Sequence, residues 1–149
     1  EAVRTFNKLI IDLREDGAFE RAETEGPAAQ YPLIAHVLEQ SYARAVALSA
    51  HLLNSYEGFS NNVYGEVKHV LVNDIIKNAN IKPHHVFLDM GSGIGSVVLQ
   101  IAAQCLCEAH GIEIMENPAQ LAKAQRAEFL SRMRWVRLRV RVCVGARER

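Results

Sequence analysis

Residues 86–95 read Val-Phe-Leu-Asp-Met-Gly-Ser-Gly-Ile-Gly and decide the fold. The first three predict a short apolar strand that ends at Asp89, and the glycines at 91, 93 and 95 predict a tight turn. The apolar stretch from Val97 to Ala103 predicts a helix. Glycines let a ligand approach the backbone closely, and the start of a helix offers unpaired N–H groups. This strand, turn and helix therefore predict a ligand site at the turn.

The chain after the turn repeats the alternation of strand and helix. Residues 111–114 predict a second strand, and Asn117-Pro118 predicts the start of a helix to about Met133, with Leu121, Phe129 and Met133 inward. Residues 136–144 alternate apolar residues with Arg and predict a third strand. A gene-model error within residues 136–149 is the alternative. The whole pattern opens a doubly wound parallel α/β sheet.

The residues before the turn predict helices. Residues 3–15 place five apolar side chains on one stripe, and Pro32 suits the first turn of a second helix. Residues 54–65 predict a long loop with Tyr56, Phe59 and Tyr64. A further helix is expected from residue 66, with Val67, Val70, Leu71, Ile75 and Ile76 as its apolar positions. We expect a helical part at residues 1–60 and an α/β part at residues 61–149.

Composition and charge restrict the class of protein. The 149 residues suit one domain, and no apolar run approaches the ~20 residues of a membrane helix. Three cysteines form no disulfide pattern, and Cys105 and Cys107 are expected to be inert thiols rather than metal ligands. Residues 132–149 carry seven Arg and one Glu, a net of +6, against −6 for residues 1–131. This basic end suggests a polyanion partner or a solvated strand face.

Asp89 and the glycine spacing distinguish two classes of ligand. A dinucleotide site usually has the spacing Gly-x-Gly-x-x-Gly, whereas here the third glycine comes one residue early. A carboxylate at the strand end repels a pyrophosphate but suits the ammonium and sulfonium groups of S-adenosylmethionine. Glu113 ends the next strand, where a carboxylate can accept hydrogen bonds from two ribose hydroxyls. The pattern favours S-adenosylmethionine over NAD.

Two motifs carry a family resemblance. One is Val63-Tyr64-Gly65-Glu66, and the other runs from Phe87 to Gly95 and continues in Val97-Val98-Leu99-Gln100 and Gly111-Ile112-Glu113. Over about residues 30–135 the sequence resembles the disruptor-of-telomeric-silencing family, which methylates a lysine of histone H3 without a SET domain. The resemblance implies a helical N-terminal part followed by the first βαβα(β) units of a class I (Rossmann-like) methyltransferase, with an incomplete sheet.

The resemblance also implies which residues hold the cofactor, S-adenosylmethionine. Residues 64–67 would wrap its methionine end, residues 87–96 would line the turn beneath it, and Glu113 would hold the ribose. The expected cofactor-binding residues are Tyr64, Gly65, Glu66, Val67, Phe87, Leu88, Asp89, Met90, Gly91, Ser92, Gly93, Ile94, Gly95, Ser96 and Glu113. Glu66 has a second interpretation, as an acidic residue in the first turn of a helix. No catalytic residue is assigned.

The resemblance implies that the protein methylates a core lysine of histone H3 on the nucleosome. It also implies a location in the nucleus. The family's adenine-contacting groups and its Asn-Asn-Phe segment follow the third strand and have no match in this sequence. We therefore expect the chain alone to be marginally stable, to bind cofactor weakly and not to turn over. Two alternatives remain: another methyltransferase of the same fold, and a non-catalytic chromatin-interaction fragment whose Arg-rich end contacts histone or DNA.

Overall fold

The computed structural model describes residues 1–17, 30–54, 65–134, 136 and 138–144. The helices are α1 (Ala2–Glu15), α2 (Tyr31–Ala45), α3 (His69–Ala79), α4 (Ser96–Cys105) and α5 (Glu116–Arg132), with a 3₁₀ helix at Ala47–Asn54. The strands are β1 (Val86–Met90), β2 (Glu108–Glu113) and β3 (Arg139–Val144). The predicted loop aromatics Tyr56, Phe59 and Tyr64 lie outside the described residues, as do residues 145–149.

The three strands form a parallel sheet in the order β1-β2-β3. The register pairs Val86 with Glu108 and Glu108 with Arg139. The predicted third strand is therefore confirmed. Within the described sheet β1 has a neighbour on one side only, as expected for an incomplete sheet. The second strand starts at Glu108 rather than at Gly111, because residues 108–110 pair with both neighbouring strands even though their sequence carries no apolar pattern.

The main core lies between one face of the sheet and helices α4 and α5. Ala109 and Val140 from the sheet pack there with Leu99 of α4 and Phe129 of α5. Helix α2 completes this core with Ile34, Val37 and Leu38. Full burial of such a side chain contributes roughly 1.5–3 kcal/mol relative to its exposure. The predicted division between residues 60 and 61 stays a prediction.

Helix α1 forms as predicted, but no residue of it is buried. Its apolar stripe is exposed at Val3, Phe6 and Leu9. The apolar face of α1 is therefore not covered by any other described residue.

Two helix starts differ from the predictions. Helix α3 begins at His69, since Lys68 has extended backbone angles, and its buried residues are Val72 and Asn73, whereas Val70, Leu71 and Ile75 are exposed. Helix α5 has its N-cap at Met115, so Asn117 lies in the first turn instead of capping it. The predicted inward residues Leu121, Phe129 and Met133 are buried.

Candidate functional site

The glycine turn leads from β1 into α4 through three glycines with positive φ. The φ angles are 91° at Gly91, 54° at Gly93 and 82° at Gly95, a region that side chains rarely adopt. The N–H groups of Gly91 and Ser92 both donate to the carbonyl of Ile112, at 2.8 and 3.0 Å. The turn is thus tied to the end of β2, which places the first turn of α4 beside it.

Gly111 is needed because the turn approaches β2 closely. A Cβ at this position would lie 2.7 Å from Ser92 Oγ and 3.0 Å from Val98 Cγ2. The hydroxyl of Ser92 is itself buried and has no hydrogen-bond partner among the described residues. Glycine at position 111 therefore has a steric cause, because any side chain there would collide with Ser92.

A cleft of about 150 Å³ lies over the turn and brings the two predicted motifs together. Gly65, Glu66 and Val67 form one side of the cleft. The other side comes from the end of β1, the turn and the start of α4. Its predicted members are Asp89, Gly91, Ser92, Gly93, Ile94 and Ser96. Tyr64 lies outside the described residues. Two motifs separated by more than 20 residues in sequence thus share one concave surface.

The other predicted cofactor residues lie around this cleft rather than along it. Phe87 packs against the core. Leu88 and Met90 point to the opposite face of the sheet, and Met90 is 81% exposed. Gly95 caps α4, and a Cβ there would meet Val142 Cγ2 at 3.3 Å, so it serves close packing of β3. Glu66 precedes the N-cap of α3 by two residues, which removes its interpretation as a first-turn acid.

Glu113 is buried beside the turn and joins it to the start of α5. Its Oε2 accepts a hydrogen bond from Gly93 N–H at 2.7 Å, and its Oε1 accepts one from Met115 N–H at 2.7 Å. Each carboxylate oxygen has a second lone pair, so Glu113 retains acceptor capacity for two hydroxyls. The residue therefore fixes the turn to the start of α5.

Asp89 lines the cleft together with Glu66. Burial raises the pKa of its carboxyl group above the usual value, and the neighbouring Glu113 carboxylate raises this pKa further. A bound cation would offset both effects, since it favours the charged form of Asp89. The acidic cleft therefore fits a ligand that carries positive charge and does not fit a pyrophosphate.

Comparison with known proteins assigns the family. The model of the family described as "Histone methylation protein DOT1" matches residues 42–143. The chain belongs to this DOT1 family. Histone-lysine N-methyltransferases, H3 lysine-79 specific, from Aspergillus fumigatus and Drosophila melanogaster are 40% and 38% identical to it over 134 and 136 residues. These alignments cover 90% and 89% of the chain but 27% and 7% of those proteins. The chain therefore spans about a quarter or less of these relatives.

The DOT1 match includes the glycine turn and β3 as far as Cys143. Most of the arginine-bearing third strand therefore lies inside the family's domain. Among solved structures, the YcgJ protein of Bacillus subtilis is 23% identical with a TM-score of 0.41, covering 52% of the chain and 30% of that protein. This likeness is too low to carry an argument.

Sequence reasoning missed several residues in or beside the candidate cleft. Ile75 and Val97 also line the cleft. Gln125 of α5, fully buried, donates from Nε2 to Ser96 Oγ at 2.9 Å, while its Oε1 has no partner among the described residues. The available signal was a polar residue inside an otherwise apolar helix face, because a buried amide needs a partner.

Arginines line a separate cleft of about 300 Å³ at β3. Arg126 donates from Nε to the carbonyl of Val140 at 3.0 Å, and Arg139 donates to the carbonyl of Pro83 at 3.1 Å. Arg141 lies in the same cleft, where Glu108 is paired with His110 at 2.9 Å. Positive charge therefore dominates this surface, on a different side of the domain from the acidic cleft.

The described residues contain no cluster of metal-ligating side chains. They also contain no helix with the length and hydropathy of a membrane span. Cys105 and Cys107 are buried, and burial, with the neighbouring Cys107, raises the pKa of Cys105 to about 11. Such thiols are poor nucleophiles and poor metal ligands.

Proposed function

We propose that this chain forms the donor-binding part of a class I S-adenosylmethionine-dependent methyltransferase that modifies lysine 79 of histone H3. The observation that carries the proposal is the cleft, in which Gly65–Val67 face the glycine turn and Asp89. Membership in the DOT1 family supports the acceptor, since similar proteins are named as histone-lysine N-methyltransferases specific for lysine 79 of histone H3. The cofactor-binding residues proposed are those expected from the sequence, with Asp89 and Glu113 as the charged anchors.

The roles of these residues follow from their positions. Asp89 attracts the cationic part of the cofactor, and Glu113 accepts hydrogen bonds from the ribose while it holds Gly93 in place. When bound, S-adenosylmethionine supplies the methyl group. The acceptor lysine must be neutral to attack, and an apolar surround lowers its pKa. The remaining barrier reduction comes from alignment of the reacting atoms.

The proposed partners are nucleosomal histone H3 and DNA, and the proposed location is the nucleus. The arginine cleft at β3 supports contact with a polyanion. The same observation favours a second candidate function, a non-catalytic chromatin-interaction fragment. Its DNA affinity should fall steeply with salt concentration, because phosphate contacts release counterions. Cofactor binding separates the two candidates.

Isothermal titration of S-adenosylmethionine into the chain tests the proposal, with NAD as the control ligand. We expect binding of the methyl donor and none of NAD. Gly93→Arg should abolish binding because its side chain would fill the cleft, and circular dichroism checks that this variant is folded. Asp89→Asn serves as a second variant that leaves the backbone of the turn unstrained. No binding of the donor by a folded chain would contradict the proposed function and leave the non-catalytic candidate.

A further inference from the structure

A second, larger cleft of about 430 Å³ adjoins the cofactor cleft. The two share Glu66, Val67 and Ser96 as a common wall. Beyond this wall the larger cleft extends between α2 and α4, to Tyr42 and Gln100. A ligand that fills the smaller cleft therefore has room to extend past Ser96 in one direction.

The orientation of the cofactor follows from its anchors. Glu113 accepts a hydrogen bond from the N–H group of Gly93, so a ribose held by Glu113 would lie near Gly93. Gly93 lines the smaller cleft alone, whereas Glu66, Val67 and Ser96 line both clefts. The amino-acid end of the cofactor, which carries an ammonium and a carboxylate, then faces the larger cleft.

Two opposite charges of the larger cleft have no side-chain partner among the described residues. Glu66 and Lys68, two residues apart, both line this cleft, and neither side chain makes an ion pair or hydrogen bond with another described residue. The cleft has another carboxylate, that of Glu39. It differs from Glu66 because its Oε1 lies 3.4 Å from His69 Nε2. An unpaired carboxylate beside an unpaired ammonium is the charge complement of an amino-acid head group.

The backbone that carries these charges is fixed from two sides. The carbonyl of His69 accepts a hydrogen bond at 2.8 Å from Nε2 of Gln100, which is 1% exposed. Nδ1 of the His69 imidazole and the hydroxyl of Tyr31 form a hydrogen bond of 2.7 Å. Lys68 directly precedes this anchored residue, so its position is set by the core and little ordering is required of the backbone when a ligand binds.

We propose that Lys68 is a cofactor-binding residue that pairs with the carboxylate of the methionine end of S-adenosylmethionine. This inference rests on the proposed function and adds a residue to it. Glu66 and Asp89 lie on the side of the ammonium and sulfonium. The side chain of Lys68 makes no capping hydrogen bond to α3, so replacing it alters the charge of the cleft without removing a helix cap.

Lys68→Met tests the proposal, with Lys77→Met in the last turn of α3 as the matched control. Affinities for S-adenosylmethionine and for its decarboxylated form are measured by titration calorimetry. We expect Lys68→Met to weaken binding of the complete cofactor about 5- to 20-fold, as for loss of a charge-assisted hydrogen bond at a partly exposed site. Binding of the decarboxylated form should be unchanged, and Lys77→Met should change neither.

Three other results would overturn the inference. Equal weakening for both ligands would mean that Lys68 supports the segment instead of the carboxylate. Unchanged binding of the complete cofactor would place its carboxylate elsewhere and leave the larger cleft to another ligand, while the proposed function stands. Failure of the folded wild-type chain to bind either ligand would remove the proposed function itself and this inference with it.

Discussion

Residues alternate between the two faces of the three-stranded sheet, but one face is covered by helices and the other is exposed. Ala109 and Val140 point to the face that α4 and α5 cover, and both are buried. Leu88 and Met90 of β1 point to the other face and are exposed. Each of these helices connects consecutive parallel strands, and such connections have one hand, so both helices fall on the same side. Strand periodicity assigns residues to faces, whereas the connections decide which face is covered.

The largest expected effect comes from the covered face. Phe129→Ala should lower the free energy of unfolding by about 3–5 kcal/mol, because the fully buried ring leaves a cavity in the main core. Phe6→Ala is the matched control, since Phe6 of α1 is 61% exposed. Urea denaturation followed by circular dichroism measures both. Similar losses for the two variants would mean that the apolar stripe of α1 is as well packed as the core.

A smaller loss is expected where the turn meets the sheet. Gly111→Ala puts a methyl group 2.7 Å from Ser92 Oγ and should cost about 1–3 kcal/mol, as overpacking of a filled core does. A Cβ at Gly65 would meet nothing within 4 Å, so Gly65→Ala should retain the stability of the wild type. Thermal unfolding compares the two alanine variants. Equal stability would show that the turn can move away from β2.

Much of this arrangement could be predicted from sequence, and the failures have local causes. The glycine turn and its flanking elements were predicted correctly because apolar runs and glycines mark both sides of it. The start of β2 was missed because Glu108 and His110 owe their strand conformation to pairing with neighbours. The start of α5 was missed because Glu113, an acceptor from the preceding strand, bonds the N–H of Met115 in place of a local cap.

The candidate site shows the same limit. Asp89, Gly91 and Gly93 were found from spacing alone, and they line the cleft. Lys68 carries no sequence signal of its own. Its relevance depends on α2 and α4 meeting beside the segment that precedes α3, which is a property of packing. A sequence motif therefore cannot identify residues whose role depends on neighbours from other helices.

Asp89→Asn should separate stability from binding. An acid whose pKa is raised on folding binds more protons in the folded state, so the free energy of unfolding falls as pH rises from 3.8 through the raised pKa. The asparagine variant lacks this loss and should unfold at a higher temperature at pH 7, with the difference vanishing at low pH. Its affinity for the methyl donor should drop at least about tenfold. Thermal unfolding across pH, with calorimetric titration, measures both; a destabilised variant would contradict the assignment.

The smallest effect is expected on the open face. Leu88→Ser exchanges an apolar side chain that is 54% exposed, and surface exchanges usually change stability by less than about 0.5 kcal/mol. Parallel sheets are commonly covered on both faces, and a partner on this face would reverse the result. Urea denaturation of the isolated chain therefore tests the open face directly: a loss of 2 kcal/mol or more, of about the size expected for a buried leucine, would show that Leu88 is covered in solution.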